Sequence, residues 1–190
     1  MTPQQINAFW LDEIDEKQWY NGSAELDRTI SERFGAAWEQ ADSLASSWSG
    51  TAEGALAALI LTDQFPRNMF RDNARSFATD KLARRIATNA IKTGLDMATP
   101  EPARQFFYTP FMHSEEMGDQ NRAVSMFEER MPGDNVRHAH LHREVIRRFG
   151  RFPWRNDALG RETTPQERAF LDAGGYGALV AGRVSLADAG

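Results

Sequence analysis

The feature that most constrains the fold is an apolar run within residues 54–71, GALAALILTDQFPRNMFR. Every residue from 55 to 61 is apolar, and a helix that is apolar on all sides lies at the centre of a protein. The run is too short to cross a bilayer. Thr51 is a suitable N-cap for this helix. Pro66, which lacks an N–H and restricts the residue before it, is expected to end the helix.

Asp63 is a carboxylate placed just after the most apolar stretch of the chain. Burying its charge without a partner would be costly, and the nearest cations are Arg67 and Arg71. We therefore expect Asp63 and Arg67 to form a structural ion pair, since a buried charge more often marks a needed partner than catalysis. The alternative is that Arg67 points outward and forms an anion site at a helix end.

Composition favours a soluble, cytoplasmic protein. The 190 residues contain no cysteine, so neither disulfides nor thiolate chemistry are expected. The N-terminus does not resemble a secretory signal, and no stretch reaches transmembrane length, so no membrane partner is expected. A formal net charge of −5 and the lack of a nucleic-acid-binding motif argue against nucleic acid as a partner.

Helical periodicity dominates the whole chain, and no strand-type alternation is convincing. We predict an all-α fold of about eight helices arranged as stacked antiparallel hairpins, with one domain over residues 1–173 and a loosely ordered tail over 174–190. Gly35 is a candidate break within the second helical region. The predicted helix starts are Thr2-Pro3, Ser23, Thr51, Thr99-Pro100, Ser114 and Thr164-Pro165.

The histidines are confined to two places, His113 and the run His138, His140 and His142. His138 and His142 are one helical turn apart and share a face that leans toward the core. Two such histidines can bind zinc, with His113 or Glu115 completing a set. The chain has no HExxH motif and no cysteine, so neutral, hydrogen-bonded rings are the favoured interpretation, and neither a metal nor a cofactor is predicted.

Two further segments carry polar chemistry. In residues 113–116, Ser114 acts as an N-cap in the structural interpretation, whereas a helix N-terminus beside His113 could instead bind an anion. In residues 147–156 arginines alternate with aromatic residues, a pattern that packs guanidinium groups over rings and leaves their edges available to an acid. The structural alternative is a basic helix end followed by a loop pinned by Phe152 and Trp154.

Four motifs together resemble the bacterial family known as domain of unknown function 924. They are TDQFPRNMFR (62–71), SFATD (76–80), FFYTPFMHSEE (106–116) with DQ (119–120), and HREVIRRFGRFPWRNDALGRETTPQE (142–167). Thr62 stands where the family usually has an aliphatic residue. The resemblance covers nearly the whole chain and implies a tetratricopeptide-like all-helical fold, but no activity. It also implies that eight residues occupy family motif positions: Asp63, Gln64, Arg67, His113, Glu115, His142, Arg151 and Arg155.

These eight residues are the predicted ligand-binding set. Our first hypothesis is a non-enzymatic module whose cleft binds a small anion, phosphate or carboxylate, or a partner's acidic segment, more strongly as the pH falls toward the histidine titration range. The alternative is an enzyme that uses His113 or His142 as general acid or base, with Glu115 as the orienting group. A third possibility is a protein-interaction scaffold without a small-molecule site. The sequence does not determine ligand, partner or oligomeric state.

Overall fold

Helices form nearly all of the regular structure. A computed structural model describes residues 1–186, and this part of the chain contains no β-strand, which confirms the predicted all-α fold. The α-helices are α1 Pro3–Ala8, α2 Ala24–Trp38, α3 Ala41–Trp48, α4 Ala52–Leu59, α5 Phe65–Met69, α6 Asp80–Lys92, α7 Thr109–Met112, α8 Met117–Arg130, α9 Asp134–Phe149, α10 Pro165–Asp172 and α11 Gly175–Val180. Short 3₁₀ helices span Glu16–Trp19, Ala74–Phe77, Ala103–Phe107 and Pro153–Arg155, and π-helical turns span Phe9–Glu13 and Ile60–Gln64.

The chain divides into two compact units, Met1–Pro110 and Phe111–Gly190. In the first unit, α1, α3 and α6 pack against α4. In the second unit, α8 and α9 form a helical hairpin connected by residues 131–133. The prediction of one domain over residues 1–173 stays a prediction.

The segment that was predicted to be loosely ordered contains α11. Ala178 and Leu179 of this helix are buried, and Leu179 joins a core cluster with Val145, Ile146, Phe152 and Phe170. Apolar contacts therefore hold α11 against this cluster. The loose order predicted for residues 174–190 as a whole stays a prediction. Residues 187–190 of the predicted tail lie outside the described residues.

Most of the predicted helix starts are correct because capping is a local interaction. The side chains of Thr2, Ser23, Thr51 and Thr164 accept hydrogen bonds from backbone N–H groups in the first turns of α1, α2, α4 and α10. Each satisfies a donor that has no partner within the helix.

Three local predictions are wrong. Gly35 does not break α2, which runs on to Trp38. Thr99 starts no α-helix, since the next regular element is the 3₁₀ helix Ala103–Phe107 with Pro102 as its N-cap. Ser114 is not the N-cap of α8; that position is Glu116, whose N–H donates to Ser114 Oγ at 3.2 Å within a turn.

The prediction that Pro66 ends the central helix is also wrong. The backbone of Phe65 stays in the α region, and the chain passes from α4 through the π-helical turn Ile60–Gln64 directly into α5. The π-turn lets the N–H of Phe65 bond to the carbonyl of Ile60, five residues earlier. The helical path therefore continues through the proline.

Side chains satisfy the carbonyl groups that this irregular turn exposes. Proline cannot donate to the carbonyl four residues before it, which here belongs to Thr62. The hydroxyl of Thr79 donates to this carbonyl at 2.6 Å, and the guanidinium of Arg67 donates to the carbonyl of Asp63. Polar side chains near the turn thus replace the backbone donors that Pro66 and the π-turn remove.

Candidate functional site

Asp63 and Arg67 form the ion pair that the sequence indicated. Asp63 is 1% exposed, and its carboxylate lies 3.3 Å from the Arg67 guanidinium. The other guanidinium nitrogen of Arg67 lies 3.0 Å from Asp80. Burial opposes the charged form of Arg67, but Asp63 and Asp80 outweigh burial and hold its pKa above its usual value. Arg67 is therefore held between two carboxylates of its own unit and does not form the outward-facing alternative.

Gln64 completes the hydrogen bonding around Asp63. Its side-chain nitrogen donates to Asp63 Oδ2 at 2.6 Å and to the hydroxyl oxygen of Thr109 at 3.3 Å. Thr109 in turn donates to Asp63 Oδ2 at 3.1 Å. These contacts hold the π-helical turn Ile60–Gln64 and the start of α5 in place. Asp63, Gln64 and Arg67 therefore have a structural role.

Glu115 of the second unit braces a loop. Its carboxylate accepts hydrogen bonds from the backbone N–H of Phe152 at 2.9 Å and from both terminal nitrogens of Arg161 at 2.9 and 2.8 Å. Burial tends to raise the pKa of Glu115, but these donors outweigh it and the pKa is lowered. The contacts of Glu115 fix the loop and not a histidine ring, which differs from the orienting role predicted for it.

Arg151 is held in the same way by Glu167. Two guanidinium nitrogens of Arg151 donate to the Glu167 carboxylate at 2.6 and 2.8 Å, and one also donates to the carbonyl of Glu162 at 2.7 Å. Glu167 additionally accepts from the backbone N–H of Thr164 and from Asn156. Hydrogen bonding to Arg151 is the main cause that lowers the pKa of Glu167 to about 2. Arg151 thus ties the loop that follows α9 to the start of α10.

Of Arg151, Arg155 and Arg161, Arg155 is the most buried, with 8% of its surface exposed. Its guanidinium donates to the backbone carbonyl of His113 at 2.9 Å and lies 4.6 Å from the centre of the Phe152 ring. A cation over an aromatic ring in a desolvated place is favourable. Arg155 therefore brings a positive charge next to the histidines of the second unit.

His138 and His142 of α9 meet Tyr176 of α11. Nδ1 of His142 lies 2.9 Å from the backbone carbonyl oxygen of His138 and 3.0 Å from the Tyr176 hydroxyl. The same hydroxyl lies 2.8 Å from Nδ1 of His138. The His113 ring centre is 6.5 Å from that of His142, and the Trp154 ring, which is 37% exposed, is 6.2 Å from it. The structure therefore gathers three histidine rings, a tyrosine and an exposed tryptophan.

His138 and His142 of α9 are neutral at neutral pH. Burial is the main cause that lowers the pKa of His142 to about 3; the hydrogen bond to the His138 carbonyl opposes it, and the neighbouring His113, His138 and Arg155 lower the pKa further. Burial also lowers the pKa of His138, with Arg137 contributing in the same direction. His142 therefore does not gain positive charge as the pH falls from 7 to 5, contrary to the pH dependence expected from the sequence.

The eight predicted residues fall into two groups. Asp63, Gln64 and Arg67 meet in the first unit, and the other five, His113, Glu115, His142, Arg151 and Arg155, belong to the second unit. A common cleft for all eight stays a prediction.

Sequence reasoning missed several partners of these residues. Asp80 and Arg161 lie inside the quoted motifs, but nothing in their local sequence identifies the charge that each one meets. Tyr176 lies in a glycine-rich segment that gives no sign of a contact 34 positions earlier. The only local signal was the one-turn spacing of His138 and His142, which correctly placed both on one face of α9.

Residues 1–186 contain neither a candidate metal cluster nor a candidate membrane span. Within this range no group of three or more histidine, aspartate or glutamate side chains is arranged to hold a metal ion. None of the helices there is both long and apolar enough to cross a membrane.

The helices and their buried polar braces define an all-α protein. The chain belongs to the family described as bacterial protein of unknown function (DUF924), whose model matches residues 6–175. It is similar to a solved structure of a protein of unknown function from Agrobacterium tumefaciens, with 42% sequence identity and a TM-score of 0.85. The match covers 90% of this chain and 96% of that one. No curated protein matches the sequence significantly.

Proposed function

We propose that the second unit binds a small anion, a phosphate or a carboxylate, at His113, His142 and Arg155. The observation that carries the proposal is the state of His142: a neutral, partly exposed ring next to a buried arginine, with one ring nitrogen that has no hydrogen-bond partner among residues 1–186. The exposed ring of Trp154 provides an apolar wall beside it. A few polar groups that converge beside aromatic surface are typical of small-molecule sites.

The charge balance supports an anion over a cation. Arg151 pairs with Glu167 and Arg161 pairs with Glu115, each through two hydrogen bonds. The positive charge of Arg155 also acts on His142, as the lowered pKa of that ring reflects. A negative ligand would be attracted by this field.

The proposal assigns different tasks to the predicted arginines. Arg67 and Arg151 have carboxylate partners, so they support the helices and loops and do not contact the ligand. In the proposal Arg155 supplies positive charge and His142 supplies a ring nitrogen, with the His113 ring beside it. This is a smaller anion site than the cationic wall expected from the sequence.

A general-base role for His142 is the second candidate function. It is favoured by the hydrogen bond to the His138 carbonyl, which fixes the ring orientation as catalytic bases require. A pKa of about 3 makes the ring a weak base at neutral pH, because efficient bases titrate near the working pH. Binding is therefore the stronger proposal.

Thermal unfolding with added anions tests the proposal. The unfolding midpoint would be measured with inorganic phosphate, acetate and propionate, each against sodium chloride at the same ionic strength. We expect at least one anion to raise the midpoint of the wild-type protein, since a ligand that binds only the folded state stabilises it. His142→Leu should lose the effect. His140→Leu is the matched control. This histidine lies two residues from His142, on a different face of α9, and its ring pairs with Glu128.

Two outcomes would contradict anion binding at this site. One is the absence of any anion-specific shift in the wild-type protein. The other is an equal shift in a folded His142→Leu variant, which would place the anion elsewhere.

A further inference from the structure

α11 lies against the histidine pair of α9 through one side chain. The hydroxyl of Tyr176 is 2.8 Å from Nδ1 of His138 and 3.0 Å from Nδ1 of His142. Its ring centre lies 4.5 Å from that of His142 and 6.2 Å from that of His138. Tyr176 therefore covers part of both imidazole rings, whose residues are half-buried.

The hydrogen bonds of Tyr176 depend on a neutral His138. A backbone carbonyl can only accept a hydrogen bond, so Nδ1 of His142, 2.9 Å from the His138 oxygen, carries a proton. The Tyr176 hydroxyl cannot donate to that nitrogen and donates to Nδ1 of His138, which must hold a lone pair. Burial raises the pKa of Tyr176, so the hydroxyl keeps its proton. A proton that His138 gains at Nδ1 would remove the acceptor of this hydroxyl.

The surroundings of the pair disfavour protonation while α11 is in place. Burial is the largest effect and lowers the pKa of both histidines, to about 3 for His142. Asp134 opposes this effect at His138, and the hydrogen bond to the His138 carbonyl opposes it at His142. The charged or titratable groups that act on the two rings or contact them are His113, Asp134, Arg137, Arg155 and Tyr176. Among these groups the arginines would repel any positive charge added to the pair.

α11 is held in place by few contacts and follows a glycine turn. Gly174 and Gly175 have φ of 102° and 54°, values that glycine adopts readily and that let the chain reverse after α10. α11 has six residues, so it is too short to be stable without its neighbours. Leu179 is its large buried side chain, and the Arg137 guanidinium donates to the carbonyl of Val180. A segment with so few buried contacts opens locally before the rest of the protein unfolds.

We propose that α11 is a lid over His138 and His142 and that proton uptake by these two histidines opens it. In the closed state both rings are neutral, and Tyr176 donates to one of them. In the open state water solvates the rings, and a protonated His138 offers no acceptor to the returning hydroxyl. The lid therefore exposes the histidine pair of α9 at acidic pH. Opening requires no ligand, so the lid is independent of the anion site proposed above.

Protons bind preferentially to the open state. With α11 away, water reaches both rings and their pKa returns toward the ordinary value of about 6.5. A group with a lower pKa in the closed state stabilises that state above about 6.5, and the stabilisation is lost as the pH falls toward the closed-state pKa, which for His142 is about 3. At pH 5.5, one unit below the ordinary pKa, His142 alone shifts the balance toward opening about tenfold relative to pH 7.5. His138 shifts it further in the same direction.

Hydrogen exchange followed by NMR tests the lid in the wild-type protein. The amides of Ala178, Ala181 and Arg183 donate hydrogen bonds within or just after α11 and report its opening. We expect their protection factors, which correct for the pH dependence of intrinsic exchange, to fall about tenfold or more from pH 7.5 to pH 5.5. Amides in the interiors of α2 and α8 should keep their protection, because these helices do not open with the lid.

Asparagine variants show whether the histidines are responsible. Asparagine keeps a hydrogen-bonding group on a short side chain but does not titrate. His138→Asn combined with His142→Asn should remove the pH dependence of α11 protection. Each single variant should remove part of it, so the test does not depend on the folding of the double variant. His140→Asn is the matched control, because its ring pairs with Glu128 on a different face of α9, and it should keep the tenfold fall.

Three outcomes would overturn the proposal. One is unchanged protection of α11 between the two pH values. Another is an equal loss of protection in α2 and α8, which would be acid unfolding of the whole protein and not the opening of a lid. The third is the full tenfold loss in folded His138→Asn and His142→Asn variants, which would mean that other groups drive the opening.

Discussion

Gly54 should not tolerate even a methyl group, although it lies inside a helix. A Cβ added at this position of α4 would stand 2.0 Å from the carbonyl oxygen of Trp48 and 2.8 Å from the carbonyl carbon. These are backbone atoms at the end of α3, so α3 and α4 would have to separate by about 1.4 Å to restore ordinary van der Waals contact, as overpacking of a close-packed interior requires. The absence of a side chain at Gly54 therefore permits the tight turn between the two helices.

The expected cost follows from two opposing contributions. Overpacking typically costs about 1–3 kcal/mol, and here the upper end applies because the obstacle is backbone. Replacing glycine by alanine in a helix returns up to about 1 kcal/mol. We therefore expect Gly54→Ala to lower the free energy of unfolding by about 2 kcal/mol, which for a chain of this size corresponds to a midpoint about 4–8 °C lower.

Gly35→Ala is the matched control. Gly35 lies in the interior of α2, and an added Cβ there would meet no atom within 4 Å. Only the helix-propensity gain remains, so this variant should unfold about 1–3 °C above the wild type. Thermal melts followed by far-UV circular dichroism would compare the three proteins. The reasoning is refuted if Gly54→Ala melts at or above the wild-type midpoint, or if the two variants shift in the same direction.

Two further predictions concern the polar braces. Thr79→Val removes the donor to the Thr62 carbonyl and should cost about 1–3 kcal/mol in urea unfolding, because a buried acceptor is left unpaired; a loss below 0.5 kcal/mol would mean that water replaces the hydroxyl. Glu167→Gln should destabilise the protein most above pH 5, since a carboxylate whose pKa falls from 4.5 to about 2 on folding stabilises the fold above 4.5 and loses this effect as the pH falls toward 2. Urea midpoints at pH 7 and pH 3 would measure the change, with the exposed Glu162→Gln as control, and a difference that does not shrink at pH 3 would contradict the role of charge.

Interactions between near neighbours in the sequence could be predicted well. Thr2, Thr51 and Thr164 cap helices through atoms within three residues, and the pair of Asp63 and Arg67 spans one turn. Such contacts depend on local backbone geometry, which the residue types themselves indicate.

Predictions failed where a distant residue supplied the missing partner. Pro66 has the sequence signature of a helix end, yet the helical path continues because Thr79 satisfies the carbonyl that the proline leaves without a donor. Glu115 next to His113 suggested a histidine–carboxylate pair, but Arg161, 46 positions later, takes the carboxylate. The local sequence contains no information on these partners, since they are brought near only when the helices pack.

The sequence by itself determined that the protein is all-α, that an apolar rod lies at the centre of the first unit, and that His138 and His142 share a face of α9. These features follow from helical periodicity and from the cost of exposing apolar surface, both of which are properties of short segments. The tertiary structure alone decided which charges are neutralised and which ring nitrogens meet the Tyr176 hydroxyl. Those outcomes depend on the positions of Asp80, Glu167 and Tyr176 in space, because charge pairing and desolvation act over a few ångströms regardless of separation along the chain.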